Sequence, residues 1–179
     1  MATIEDFNLY LRTPDYDQAK LGKRTEFTPP PVATARIQNT YSKRKEESRQ
    51  LIYLKAGNDK YVCADQLSKG EVVADRDEAY EWETFTLILF GKNECAVTSS
   101  EDLFMCNELN NKNRVTASRL VVSYWETFIK IDLDSNYVAF KSVANDMFIS
   151  VDEKSNHLYA RAETIGRLEK FKLEKAVKQ

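Results

Sequence analysis

Very few residues in this chain could do chemistry. His157 is the single histidine, so a metal-binding histidine cluster cannot form, and any Ser-His-acid or Cys-His catalytic set would have to pass through that residue. It sits in the polar stretch Lys154-Ser155-Asn156-His157 just before an apolar segment, the setting of a solvated loop histidine. Cys63, Cys95 and Cys106 form no CxxC pair, and the five glycines make neither a dinucleotide nor a phosphate cradle. Asp132-Leu133-Asp134-Ser135-Asn136 opens like a calcium loop, but Tyr137 stands where such a loop needs glycine and Val143 where it needs glutamate, so a turn is expected. Catalytic, cofactor and metal sites are therefore all read as none.

Glu83, Glu126 and Glu169 invite a paired-carboxylate reading, yet each occupies the same place in a repeat. Trp82-Glu83-Thr84-Phe85 returns forty-three residues later as Trp125-Glu126-Thr127-Phe128 and again as Leu168-Glu169-Lys170-Phe171. Carboxylates related by a threefold axis around a barrel lie farther apart than the ~5–10 Å that glycosidase-type pairs need. A structural role fits better, with Arg76 and Arg119, each seven residues upstream of its glutamate, as partners; the third repeat has Ala162 there. Cys63, Cys106 and Ser150 recur in the same way and read as small buried side chains. The aromatic positions Trp82, Trp125, Phe85, Phe128 and Phe171 could stack sugars, but their recurrence at core-like places favours a shared core.

Those residues must be positioned by the repeat itself. The sets Leu54, Val97, Phe140; Val72, Val115, Leu158; and Ala74, Ala117, Ala160 keep the same step. Each unit reads as four short strands, in the first around 53–55, 60–64, 71–74 and 84–89, with turn-rich tips between the second and third. Alternation sends Val72 and Ala74 inward. Trp82 and Phe85 are three apart, which predicts an irregular turn near Glu83. Twelve strands in three units, none able to bury its own apolar face, predict an all-β fold: a pseudo-threefold β-trefoil of 43-residue repeats over residues 50–179.

Residues 1–49 break the pattern and read as an extended N-terminal arm. Thr3 caps a short amphipathic helix with Ile4, Phe7 and Leu11 on one face, stopped at Thr13-Pro14. Pro29-Pro30-Pro31 and a charged run follow. The arm carries nine basic and seven acidic side chains in a chain of 26 basic and 28 acidic, a balance that argues against nucleic acid and anionic membrane. Cysteine usage, the lack of an Asn-x-Ser/Thr site and an acidic N-terminus point to a reduced, cytoplasmic setting, and no run approaches membrane-spanning length.

The first unit, Leu54-Lys55-Ala56-Gly57-Asn58-Asp59-Lys60-Tyr61-Val62, continuing through Ala74-Asp75-Arg76 to Trp82-Glu83-Thr84-Phe85, resembles a repeat of the fascin family. That resemblance implies a non-enzymatic, actin-binding module, here as a single fascin-like trefoil with Asp59 in place of the family's turn glycine. The expectation is a protein-binding module at a cytoskeletal filament, actin or tubulin, with the arm as docking strap through Ile4, Phe7, Leu11, Lys43, Arg44, Lys45 and Arg49. The alternative is a saccharide-binding lectin-type trefoil. Ricin-type lectins carry Gln-x-Trp in each repeat, whereas here Tyr80-Glu81-Trp82 and Tyr124-Trp125 stand at those places.

Overall fold

The computed structural model describes residues 44–65 and 68–176 of the 179. They form twelve strands: β1 (Ser48–Lys55), β2 (Tyr61–Asp65), β3 (Glu71–Arg76), β4 (Phe85–Gly91), β5 (Glu94–Thr98), β6 (Phe104–Glu108), β7 (Arg114–Arg119), β8 (Phe128–Asp132), β9 (Tyr137–Ser142), β10 (Phe148–Val151), β11 (Leu158–Ala162) and β12 (Phe171–Lys175). All pairings are antiparallel. Four strands per unit is the number that the repeat requires.

The fold class expected from the sequence needs correction. The strands close in a ten-membered circuit, β1-β4-β5-β8-β9-β10-β11-β7-β3-β2 and back to β1, with two further strands outside it. Strand β12 bridges β1 and β9, and β6 bridges β5 and β7. The barrel is therefore an all-β closed structure with no helix among the described residues, in place of a trefoil trailing a helix-bearing arm. The expected helix, with Ile4, Phe7 and Leu11, lies outside the described residues, as does Lys43. Spacing reveals which segments are strands, but the circuit is completed by single bridges, Lys55 with Tyr61 and Phe148 with Lys141 inside their units, and Glu71 with Thr116 and Tyr159 with Arg114 between units.

Equivalent apolar residues fill one interior. Phe85, Phe128 and Phe171 are buried together with Leu54, Val97 and Phe140, and with Val72, Val115, Leu158 and the three alanines at 74, 117 and 160. Close packing of this kind makes truncation of one large ring cost roughly 3–5 kcal/mol. The hairpin end is tied by a threefold set of backbone bonds: the Ala74, Ala117 and Ala160 amides donate to the carbonyls of Asn156, Gly70 and Asn113 at 2.7, 2.7 and 2.8 Å. At Gly70 a Cβ would stand 2.2 Å from the Ala117 carbonyl oxygen, and its φ is +76°, so this tip requires glycine.

The turn after β1 explains the departure at Asp59. Asp59, Asp102 and Asp146 have φ of 64°, 57° and 60° at matching tips. Aspartate tolerates this left-handed region better than most side chains, and so can serve where a related turn would use glycine.

Candidate functional site

The segment between β3 and β4 contains the most distinctive geometry. In each unit a glutamate folds back on its own turn: the amides of Tyr80, Ser123 and Gly166 donate to Glu83, Glu126 and Glu169 at 2.8, 2.8 and 2.7 Å. Each carboxylate thus satisfies a backbone donor that would otherwise be orphaned, which is why glutamate recurs there. The expected arginine partners are in place, Arg76 at 3.6 Å from Glu83 and Arg119 at 3.5 Å from Glu126. The irregular turn expected near Glu83 is present as well, with the Thr84 amide donating to the Glu81 carbonyl at 3.1 Å.

From this common frame the first two units diverge. In the second, Arg119 is fully buried and also bonds Glu108 at 2.8 Å, Ser123 Oγ donates to Glu126 at 2.6 Å, and Trp125 is only 4% exposed. Burial pushes the Glu126 carboxyl up, against the pull of Ser123 and Arg119. In the first, Trp82 is 39% exposed and Tyr80 is 56% exposed, contrary to the expectation that both tryptophans are core. The same tetrapeptide buries its glutamate and phenylalanine both times, but its tryptophan only in the second unit, where the small Ser123 is buried beside Glu126, whereas Tyr80 turns outward and its hydroxyl bonds Glu78.

The result is a cleft of about 600 Å³ lined by Arg76, Asp77, Glu78, Tyr80, Glu81, Trp82 and Glu83. Arg76 pairs with Asp75 at 2.7 Å and reaches Glu83, while Lys60 pairs with Asp77. Behind Glu83, the buried Cys63 thiol is pushed up to about 12 by burial and by its bond to that carboxylate. Burial likewise holds Cys95 at about 12 and Cys106 well above its ordinary value, so all three are poor nucleophiles.

The remaining sequence candidates are scattered. Arg44 turns inward: it bonds Glu94 at 2.8 Å and Thr127 Oγ1 at 2.9 Å, and lies 4.4 Å from the centre of the Phe90 ring. It is a latch of the barrel rather than part of an open basic tract. Arg49 lies in β1, exposed and paired with Glu46 at 3.0 Å, and Lys45 is exposed. The Asp132–Asn136 stretch forms the β8–β9 turn, with Ser135 and Asn136 at φ of 56° and 68°. Among the described residues no group of three or more His, Cys, Asp or Glu side chains could hold a metal ion.

His157 is half-buried rather than solvated. Positions 71, 114 and 157 are repeat equivalents, and at the hairpin end they meet: Arg114 forms an ion pair with Glu71 at 2.8 Å, and His157 Nε2 lies 3.6 Å from Glu71. Burial and then Arg114 push the imidazole down, with Glu71 opposing them. Equivalents near the axis converge, unlike those on the barrel wall, and the forty-three-residue step could have revealed this trio.

The sequence matches no known family and no curated protein. Among solved structures it is similar to a designed threefold-symmetric protein, ThreeFoil, at a TM-score of 0.62 and 11% identity over 70% of this chain and 99% of that one. It is also similar to a mosquitocidal holotoxin, at 0.63 and 13% identity over 73% of this chain and 18% of the toxin. These likenesses show the fold alone. The fold is threefold and β-trefoil-like, closed as described above. Among the described residues no helix is long and apolar enough to cross a membrane.

Proposed function

We propose that this chain is a non-enzymatic protein-binding module associated with a cytoskeletal filament, actin first and tubulin second, in a cytoplasmic setting. The filament assignment rests on the fascin-like residues from Leu54 to Phe85. The binding-module reading rests on one observation: Tyr80 and Trp82 are presented to solvent at a place where the next repeat buries its tryptophan. Large exposed aromatics bordered by charge are a common mark of protein contact. The buried, high-pKa thiols and the single histidine engaged by Glu71 favour a non-enzymatic role. The arm serves as docking strap through Ile4, Phe7, Leu11 and Lys43, with Lys45 and Arg49 at its base, while Arg44 fixes that base to β4, β5 and Thr127.

Co-sedimentation with actin filaments and with microtubules tests this. The full chain is compared with one beginning at residue 44, which keeps the Arg44 latch and all of β1. The full chain is expected to pellet with one filament type and the shortened one less; pelleting with neither defeats the proposal. The same exposed indole supports the lectin reading second, since a sugar face stacks on such a ring. Saturable binding on a glycan array without filament binding would favour it.

A further inference from the structure

We infer that the Tyr80–Trp82 cleft takes the cationic side chain of a lysine- or arginine-bearing segment of a partner protein. This rests on the binding-module reading and deepens it, because it states what the Tyr80–Trp82 surface recognises.

The lining itself selects the charge. One arginine, Arg76, stands against four carboxylates, Asp77, Glu78, Glu81 and Glu83. Arg76 is held by Asp75 and Glu83, so it offers little to an incoming anion. Asp77 is paired with Lys60. The carboxylates of Glu78 and Glu81 are exposed and, among the described residues, neither has a basic partner; Glu78 only accepts from the Tyr80 hydroxyl. Two unneutralised carboxylates beside two exposed rings attract a cation by charge and by the ring face together. An acidic segment would meet repulsion there.

The molecule already uses this combination, at Arg44, at Lys141 with Phe148 and Asp146, and at Arg161 with Tyr159 and Asp152. Arg44 lies between the Phe90 ring at 4.4 Å and the Glu94 carboxylate at 2.8 Å. A guanidinium or ammonium entering the cleft would find the same pair of elements, Trp82 or Tyr80 as the ring and Glu78 or Glu81 as the acid. A chain carrying a filament contact on its arm and a basic-segment contact here has the two surfaces that tethering requires.

The test uses the full chain and a dye-labelled lysine–glycine peptide, with a glutamate–glycine peptide of equal length as control, followed by fluorescence anisotropy. The lysine peptide is expected to bind and to weaken as salt is added, and the glutamate peptide is not. Trp82→Ala should weaken binding about ten-fold and Trp82→Phe less, because phenylalanine keeps a weaker ring face. Glu78→Gln with Glu81→Gln should weaken it several-fold, and that pair reads the site independently should Trp82→Ala disturb the loop. Equal binding of both peptides, no lysine-peptide binding, or binding unchanged in the tryptophan and glutamine variants overturns the inference, as does quenching of Trp82 by a neutral oligosaccharide alone. Filament pelleting in the same variants separates the two readings. Pelleting retained without peptide binding defeats only the cleft assignment, and peptide binding without pelleting defeats only the filament assignment.

Discussion

Replacing Arg119 with methionine should separate two sites that share one sequence motif. Arg119 is 1% exposed and lies between Glu108 at 2.8 Å and Glu126 at 3.5 Å, both carboxylates buried with it. Methionine fills much of the volume but leaves two buried acids without their cation, a loss that costs about 3–5 kcal/mol when a buried pair is broken from one side. At roughly 3–5 °C per kcal/mol for a domain of this size, Tm should fall by about 10–20 °C. The pseudo-equivalent Arg76→Met removes a partly exposed pair at 3.6 Å and should cost under about 1 kcal/mol. Thermal unfolding followed by circular dichroism measures both. Because burial already raises Glu126, and loss of Arg119 raises it further, the Arg119→Met deficit should shrink as acid protonates that carboxyl. Equal costs for the two variants, or a deficit that grows on acidification, would refute the reasoning.

Other outcomes follow from the same geometry. His157 has a folded pKa below its unfolded value, so its contribution is complete above the unfolded pKa of about 6.5 and declines as pH falls toward the folded pKa; urea midpoints across that window should drop on acidification and flatten in His157→Gln. Native protein should react slowly with a thiol reagent at Cys63, Cys95 and Cys106, all buried, and quickly at all three once unfolded; rapid native labelling would contradict their placement. Phe128→Ala should destabilise by roughly 3–5 kcal/mol in chemical denaturation, and a cost under 1 would remove that ring from the shared core. Gly70→Ala should destabilise by more than the ordinary ~1 kcal/mol for a strained φ, because the Ala117 carbonyl blocks the new methyl; a neutral effect would show that this tip can shift.

Much of the frame is legible in the sequence because a threefold core repeats its demands. Phe85, Phe128 and Phe171 keep their spacing since each fills the same third of one interior, and the twelve strands follow from that register. The routing of the closed circuit is less legible, because it depends on single bridges between hairpins and barrel strands that carry no residue signature. The first strand begins at Ser48, earlier than its apolar residues suggest, since Ser48 to Gln50 are exposed and are held by backbone pairing with Leu89 to Leu87.

The site was harder to see. Trp-Glu-Thr-Phe occurs twice, identically, and the burial of its tryptophan tracks the residue two positions earlier, a buried serine bonded to Glu126 in the second loop and an outward tyrosine in the first. Arg44 looks like part of a basic run because sequence shows neighbours along the chain, whereas its partners Phe90, Glu94 and Thr127 come from distant parts of the chain. Glu71, Arg114 and His157 show the opposite case. Their step of forty-three was visible, but three different residue types hid the fact that they meet.

The two indoles differ most in their surroundings, Trp82 open to a ligand and Trp125 sealed. Fluorotryptophan labelling gives each its own resonance, assigned with Trp82→Phe, and a soluble paramagnetic agent reports access. The Trp82 signal should broaden strongly, the Trp125 signal hardly at all, and the lysine–glycine peptide should restore the first. Equal broadening of both, or a Trp82 signal that the peptide leaves unprotected, would contradict the account.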